Sequence, residues 1–214
     1  MPDASLPQAM RRARLAAALN ERGGGIALVP TAPERPRNAD SDHPYRHGSD
    51  FHYLSGFDEP QAWLLVAANG HSTLLCRERH EERELWDGRR LGVDAAPAAL
   101  GVDAAFDVEQ LDALMPGLLA NQPAVWFPFG DHPGLGAQVE GWLATVRSRA
   151  RDGVACPQAV RDLAPLLGEM RLHKDDGEIA TMRRAAAISA GAHARAMRFC
   201  AAHFRAGAGR GLPE

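Results

Sequence analysis

The chain has 214 residues, of which 45% are hydrophobic and 24% are charged, and its formal net charge is −3 at pH 7. These values are typical of a globular protein of one domain, or one domain with an appendage, that can bury its own core. The small negative charge gives no electrostatic basis for binding nucleic acid or an anionic membrane. No apolar run approaches the ~20 residues that span a bilayer, and no basic flank precedes an apolar block at the N-terminus, as a secretory signal requires.

The cysteines point to a reduced, cytoplasmic protein. There are three of them, Cys76, Cys156 and Cys200, and they are scattered along the chain. An odd number without a spacing pattern favours free thiols over a disulfide framework. Cys76 ends an apolar run and is expected to be buried, and none of the three has the context of a reactive thiol. The serines form no G-x-S-x-G elbow, and the glycines form neither a P-loop nor a dinucleotide-binding fingerprint.

The first part of the chain predicts one helix and three strands. A helix is predicted over residues 11–20, where apolar side chains recur at helical spacing before a run of three glycines. Short apolar runs predict strands over residues 26–30, 62–67 and 72–76. Asn69 and Gly70 separate the last two runs and are typical of a hairpin turn, so these strands should be antiparallel neighbours.

Helices alternate with strands in the next part of the chain. Asp107 and Gln110 resemble the two halves of a capping box and predict a helix that follows them. We expect three further elements, a strand over 124–127, an amphipathic helix over 135–146 and a shorter helix over 160–167. A hairpin followed by β–α alternation predicts an α/β fold, a mixed β-sheet flanked by helices, in one domain over residues 1–172.

The C-terminal segment, residues 173–214, predicts a long helix with an uncovered apolar face. Asp175 is a good N-cap, and Glu178 stands three residues later. A continuous helix from there exceeds 25 residues, and it needs a partner to cover its apolar stripe, which consists of Ile179, Met182, Ala186, Met197, Cys200 and Phe204. The tail over residues 205–214 is glycine-rich and is expected to fray.

The polar stretch over residues 37–60 is the first candidate for chemistry. Its composition predicts a loop rather than a regular helix or strand, and its carboxylates and imidazoles could bind a divalent metal. The candidate ligands are Asp40, Asp42, His43, His47, Asp50 and His52. However, their spacing fits no compact ligand motif, because Pro44 argues against a helix between His43 and His47. We therefore prefer the alternative in which aspartates and serines cap turns and Arg46 pairs with a carboxylate.

The second candidate is the segment HEERELWDGRR over residues 80–90. Its first two residues match the start of a zinc-peptidase H-E-x-x-H motif, but position 84 is glutamate, so the second histidine is absent. One interpretation is a charged surface segment in which Trp86 packs as an anchor. The other is a loop on which Trp86, Arg89 and Arg90 recognise a peptide or a partner surface.

Several blocks of the sequence, in order, resemble the Xaa-Pro aminopeptidase (aminopeptidase P) family. The resemblance runs from about residue 11 to about residue 198, and from residue 169 onward it follows the family's linker and the first helix of its catalytic domain. His47 and His52 occupy variable positions of the family pattern. The matching blocks are Asp40–Phe57, Trp86–Gly92, Ala95–Pro97, Leu100–Asp103, Glu169–Arg171, Lys174, Glu178–Ile179 and Arg183–Ala185.

The resemblance implies a fold and an activity for the parent enzyme. The fold is that of the creatinase/aminopeptidase P N-terminal domain, which is ribonuclease-H-like. The family's catalytic domain has a pita-bread fold and binds two Mn²⁺ ions through two aspartates, a histidine and two glutamates. It cleaves the bond before a proline at position two of a peptide, and two metals can activate the attacking water. No part of this sequence matches those ligand motifs, so the resemblance assigns no metal, cofactor or catalytic residue to this chain.

The resemblance also suggests substrate-binding residues. In tetrameric relatives, a tryptophan at the position of Trp86 can approach the active site of a neighbouring subunit, and Arg151 matches another such position. We therefore take Trp86, Arg89, Arg90 and Arg151 as candidates for contacts with a substrate, which can lie in the active site of a neighbouring subunit, and we expect a homo-oligomer.

Three hypotheses follow. The leading one is the N-terminal, non-catalytic part of an Xaa-Pro aminopeptidase, with residues 173–214 as the linker and the truncated start of the catalytic domain. Such a chain alone should be inactive, and after residue 198 it departs from the family's expected continuation. The alternative is a stand-alone binding or oligomerisation module that uses Trp86, Arg89, Arg90 and the apolar stripe of the last helix. The third is an independent metalloenzyme built on His43, His47 and His52.

Overall fold

A computed structural model describes residues 6–130 and 132–205 of the chain. The chain divides into two compact units, Met1–Leu167 and Gly168–Glu214. Within the described residues, no helix combines the length and the apolar character needed to cross a membrane. The predicted frayed tail lies outside these residues, except for its first residue, which ends the last helix.

Eight α-helices and eight strands are formed in the described part of the chain. The helices are α1 Pro7–Glu21, α2 Ser49–Ser55, α3 Glu81–Asp87, α4 Ala96–Leu100, α5 Leu111–Leu119, α6 Leu135–Ser148, α7 Ala164–Leu172 and α8 Asp176–Arg205. The strands are β1 Ile26–Pro30, β2 Pro36–Asn38, β3 Ser41–Asp42, β4 Trp63–Ala67, β5 Ser72–Cys76, β6 Ala104–Asp107, β7 Ala124–Phe127 and β8 Ala159–Asp162. The strands β2 and β3 form a separate two-stranded hairpin.

The main sheet has six strands in the order β6-β5-β4-β1-β7-β8. Only β4 runs antiparallel to its neighbours, and the other pairs are parallel. The predicted hairpin is confirmed, because β4 and β5 pair with Leu64 opposite Leu74. Its turn contains Gly70 at φ 93°, where a side chain would be strained, and the amide of Gly70 donates to the carbonyl of Ala67 at 2.9 Å. This arrangement is the predicted mixed sheet.

Helices cover both faces of the sheet, which explains why every residue of β1 is buried. On one face, α1 and α2 pack on each other and on β4 through buried side chains such as Leu15 and Leu54. On the other face, α5 and α6 pack together over β1, β4 and β7. The indole of Trp142 on α6 donates to the carboxylate of Asp112 on α5 at 2.8 Å, so this buried ring has its polar partner.

Two predicted elements differ in the structure. The prediction of a helix from residue 160 is wrong for residues 160–162, because they belong to β8, which pairs in parallel with β7. The helix starts only at Ala164, whose amide donates to Asp162 at 3.0 Å. Asp107 caps as predicted, but it caps a 3-10 turn through the amide of Glu109, and α5 begins after that turn.

The stretch over residues 37–60 is more regular than its composition predicts. It contains the hairpin strand β3 and the helix α2. This helix is only seven residues long, and four of them are buried: Phe51, Tyr53, Leu54 and Ser55. It ends at Gly56, whose φ of 68° is the left-handed conformation that terminates helices. Tertiary packing and this glycine therefore form a helix that periodicity alone does not indicate.

The second unit contains the long predicted helix. The predicted capping box is present, since the amide of Glu178 donates to the Asp175 carboxylate at 2.8 Å and the amide of Asp175 donates to the Glu178 carboxylate at 2.9 Å. The helix α8 has 30 residues, longer than the 25 predicted as a minimum. Several of its large apolar side chains are exposed, namely Met182, Ile188, Met197, Phe199 and Phe204.

Candidate functional site

The short helix α3 presents two large apolar side chains to solvent. Trp86 is 90% exposed and Leu85 is 84% exposed, and no residue of α3 is buried. The interpretation of Trp86 as a packing anchor is therefore wrong. Trp86 also lies on a helix rather than on a loop, and the helix ends at Gly88 with φ 84°. An exposed indole beside an exposed leucine is a surface suited to contact with another molecule.

Arg89 and Arg90 follow this helix but differ in their surroundings. Arg89 is exposed. Arg90 is 8% exposed, and its guanidinium donates to the carboxylate of Asp87 at 3.0 Å and to the carbonyl of Glu78 at 3.2 Å. Its Nε is buried without a partner among the described residues. Arg90 therefore fixes the end of α3 within the chain, whereas Arg89 is available to other molecules.

Two further polar contacts hold the ends of α3. Arg79, just before the helix, donates to the Glu84 carboxylate at 3.1 and 3.3 Å. This hydrogen-bonded pair raises the pKa of Arg79 and lowers the pKa of Glu84. After the helix, the amide of Leu91 donates to the carboxylate of Glu59 at 2.7 Å, and Arg77 lies 3.7 Å from the other oxygen of Glu59. The contacts of Glu59 join distant segments, so the local sequence pattern carries no signal for them.

A polar cleft of about 590 Å³ lies beside this helix. Its lining combines guanidinium and carboxylate groups, which include Arg77, Arg79, Arg83, Arg90, Glu34, Glu78, Asp87 and Glu109. Among the described residues that line it there is one imidazole, that of His80, and no serine or cysteine. The cleft thus offers groups that can bind a ligand carrying both a positive and a negative charge. Its described lining does not combine a serine or cysteine nucleophile with a neighbouring base.

Arg151 lies at a distant part of the fold. It belongs to an exposed 3-10 turn, Ala150–Asp152, that precedes β8 at one edge of the sheet. The helix α3 follows β5, which is four strand positions away, or about 19 Å at the usual spacing between strands. The structure therefore brings Trp86, Arg89 and Arg90 together but does not bring Arg151 to them within one chain.

The polar stretch forms one compact group of possible metal ligands. His47 Nδ1 lies 3.2 Å and His52 Nε2 lies 3.1 Å from the same oxygen, Oδ1 of Asp58. The two rings stack with centroids 4.0 Å apart and an interplanar angle of 14°. Burial lowers the pKa of His47, and nearby His52 and Arg46 lower it further while Asp58 opposes them. The direction of this shift favours the neutral form of the His47 imidazole.

The remaining candidates of this stretch do not join the group. Asp42 and His43 lie at the β2–β3 hairpin, where the turn is capped by Asn38, which accepts from the amide of Asp40 at 3.1 Å. The expected ion pair of Arg46 is not formed with any residue in 6–130 or 132–205. The sequence candidates also omitted Asp58, which follows the helix-ending Gly56 that reverses the chain direction. That glycine is the signal that could have predicted its position.

Comparison with known proteins gives one consistent class. The family model described as "Aminopeptidase P, N-terminal domain" matches residues 8–126. The chain is 40% identical over 197 residues to Xaa-Pro aminopeptidase of Escherichia coli K12. The aligned segment covers 90% of this chain and 45% of that protein. It is 34% identical over 167 residues to the Xaa-Pro aminopeptidase of Haemophilus influenzae, covering 77% of this chain and 36% of the relative.

Solved structures agree with the sequence comparisons. Aminopeptidase PepP of Pseudomonas aeruginosa superposes with a TM-score of 0.82 at 40% identity, covering 90% of this chain and 44% of that one. Aminopeptidase P of E. coli with the inhibitor Pro-Leu superposes with a TM-score of 0.83 at 38% identity. The match covers 89% of this chain and 44% of that one.

The mixed sheet between two helical layers is therefore the N-terminal domain found in one class of aminopeptidases. Both the predicted resemblance and the predicted fold are confirmed. The chain belongs to the aminopeptidase P family and corresponds to the N-terminal part of its members. It spans about half the length of the curated relatives that it matches.

Proposed function

We propose that this chain is the N-terminal, non-catalytic part of an Xaa-Pro aminopeptidase, a manganese-dependent enzyme that releases the N-terminal residue before proline. The observation that carries the proposal is the 40% identity to the E. coli enzyme over 90% of this chain, within 45% of that enzyme's length. Comparisons of this kind do not favour a stand-alone module, since the relatives are named as aminopeptidases.

The donor groups of this chain support the non-catalytic part of the proposal. Within residues 6–130 and 132–205, one group of three possible ligands is gathered, consisting of His47, His52 and Asp58. It differs from the family's set of two aspartates, one histidine and two glutamates, which would hold two Mn²⁺ ions. The residues present do not fit that dinuclear centre, so no step of its chemistry is assigned to this chain.

The exposed end of α3 supports a role for this chain in the whole enzyme. Trp86 and Arg89 lie free on the surface, and Arg90 with Asp87 holds the helix that carries them. An aromatic face with a neighbouring guanidinium can pack on a peptide and bind its carboxylate. We propose that these residues reach peptides with proline at position two, in the active site of a neighbouring copy.

Arg151 would contribute to a different contact in the same homo-oligomer, because about 19 Å of sheet separates it from the strand before α3. Free cysteines, including the buried Cys76, support a reducing compartment, and we propose that the protein is cytoplasmic.

The first experiment tests the lack of catalysis. The purified chain is incubated with Mn²⁺ and an Ala-Pro-containing tripeptide, and release of alanine is measured. The chain is produced in a host strain without its own Xaa-Pro aminopeptidase, and the full-length E. coli enzyme is the positive control. We expect no Mn²⁺-dependent release above the blank. Sustained release by the chain at a rate within a hundredfold of the E. coli enzyme would disprove the non-catalytic assignment.

The second experiment tests the role of Trp86. A chimera carries residues 6–198 of this chain in place of the matching segment of the E. coli enzyme. We expect the chimera to have Mn²⁺-dependent activity. Trp86→Ala should reduce its kcat/KM at least tenfold, while its molar mass by light scattering stays the same. Leu85→Ala is the matched control, because this side chain is equally exposed on the same helix. Equal activities of the two variants would refute a specific contribution of Trp86 to substrate binding.

A further inference from the structure

We propose that His47, His52 and Asp58 form a binding site for one divalent transition metal of the zinc class, separate from the dinuclear manganese centre of the family. These three side chains stand at the surface of the N-terminal domain around α2. Their ligand atoms all lie within 4.8 Å of one another. The site does not depend on the proposed aminopeptidase function, because it uses other residues and another class of metal.

The distances between the ligand atoms fit a single small cation. In a tetrahedral site with bonds of about 2.0–2.1 Å, neighbouring ligand atoms stand about 3.3 Å apart. The two nitrogen–oxygen distances at this site are 3.2 Å for His47 Nδ1 and 3.1 Å for His52 Nε2, both to Oδ1 of Asp58. The two rings stack nearly parallel, at an interplanar angle of 14°, so they must turn about their side-chain torsions before both nitrogen lone pairs point at one ion.

The donor types select the class of metal. Two imidazoles with one carboxylate suit zinc, cobalt, nickel and ferrous ions, whereas calcium and magnesium prefer oxygen ligands alone. The side chain of Asp58 is 72% exposed, so the remaining coordination positions face solvent and can be filled by water. The expected site is an open one with three protein ligands.

The backbone around the three ligands is fixed by buried contacts. The helix α2 between His47 and Asp58 is anchored by Phe51 and Leu54, which are fully buried. The hydroxyl of Ser55 donates to the carbonyl of Phe51 at 2.7 Å and accepts from the amide of Phe57 at 3.0 Å. A metal would therefore meet ligands whose backbone is already held in place, which lowers the entropy cost of binding.

The alternative explanation of this cluster is a purely structural contact. In that case an imidazole N–H would donate to Asp58, and the cluster would join both ends of α2 without any metal. The two cases differ in the nitrogen atoms engaged. A metal must bind the lone pair of Nδ1 in His47 and of Nε2 in His52, so each ring carries its proton on the opposite nitrogen.

Titration calorimetry of the metal-free full chain with ZnCl₂ at pH 7.4 tests the proposal. We expect one zinc ion per chain, with affinity reduced at least tenfold by His47→Ala, His52→Ala or Asp58→Asn. His43→Ala is the control that should bind as the unaltered chain does, because His43 lies in the neighbouring hairpin outside the group. No zinc binding by the chain, or binding that the three variants leave unchanged, would overturn the proposal.

Nitrogen-15 NMR of the histidine rings makes the test independent of variant folding. Zinc should shift Nδ1 of His47 and Nε2 of His52 while the other histidines keep their resonances. Shifts confined to the rings of other histidines would place the metal elsewhere and also refute the site.

Discussion

Replacement of Arg12 by methionine tests how far one buried cation holds the N-terminal domain together. Arg12 lies on α1 and is 3% exposed. Its guanidinium donates to the carbonyl of Leu54 and to the carbonyl of Leu100, both at 2.9 Å, and to that of Gly101. These carbonyls belong to the C-terminal ends of α2 and α4, which lack partners within their own helices. Burial lowers the pKa of Arg12, and the charge of Asp103 opposes this effect.

The cost of the replacement follows from these three bonds. A hydrogen bond to a charged group contributes about 1.5–3 kcal/mol, and the loss of its donor leaves a buried carbonyl without a partner. Methionine fills similar volume and removes the cost of burying a charge, which offsets part of the loss. The free energy of unfolding should therefore fall by about 3 kcal/mol, and Tm by roughly 6–12 °C for a chain of this size.

Urea unfolding followed by circular dichroism measures this change. Arg14→Met is the matched control, because Arg14 is exposed on the same helix and should change stability by less than about 0.5 kcal/mol. Arg12→Lys should fall between the two, since a single ammonium cannot reproduce the planar fork that reaches two helix ends. If Arg12→Met and Arg14→Met unfold at the same urea concentration, the three carbonyl contacts contribute little and the reasoning is wrong.

Two further predictions concern a glycine and a thiol. Gly25→Ala should destabilise by more than about 3 kcal/mol in the same assay, because φ is 111° and the new Cβ would overlap the Ala124 carbonyl, whose carbon lies 2.8 Å away. Gly70→Ala is the control, because Gly70 has φ 93° and open space around it, so only the backbone strain of about 1 kcal/mol should appear. If both variants lose the same free energy of unfolding, the overlap with Ala124 does not contribute. Burial, with Glu59 and Asp107, raises the pKa of Cys76 to about 12, so iodoacetamide at pH 8 should label the partly exposed Cys200 and spare Cys76 in the folded chain, as mass spectrometry would show.

The sequence predicts the central sheet well because its strands are buried on both faces. The strands β1 and β7 fall at the predicted residues, since a short apolar run bounded by glycine or proline has few other structures open to it. The edge strand β6 was not predicted, and the edge strand β8 was missed because its sequence AVRD has no apolar run and its exposure is mixed. Pairing with β7 forms it, and pairing is a tertiary effect that local patterns do not contain.

The candidate site was predictable only in part, for a similar reason. The segment with Trp86, Arg89 and Arg90 was found from residue types, but the burial of Arg90 depends on Glu78 and Asp87 folding around it. The group of His47, His52 and Asp58 depends on a helix of seven residues and on the left-handed Gly56. Short helices formed by packing carry little periodic signal, so the sequence could name two of these ligands but not their meeting point.

The way α3 is held bears on the proposed role of Trp86. A helix of seven residues without a buried side chain is too short to be stable by itself. Polar contacts at both ends of α3 compensate for this. Arg79, just before the helix, donates to Glu84, and the amide of Leu91, after the helix, donates to Glu59. These contacts set the direction of the helix, while the apolar side chain of Trp86 adds nothing to folding in its exposed position. An exposed tryptophan on a helix held in this way supports the proposal that Trp86 contacts another molecule.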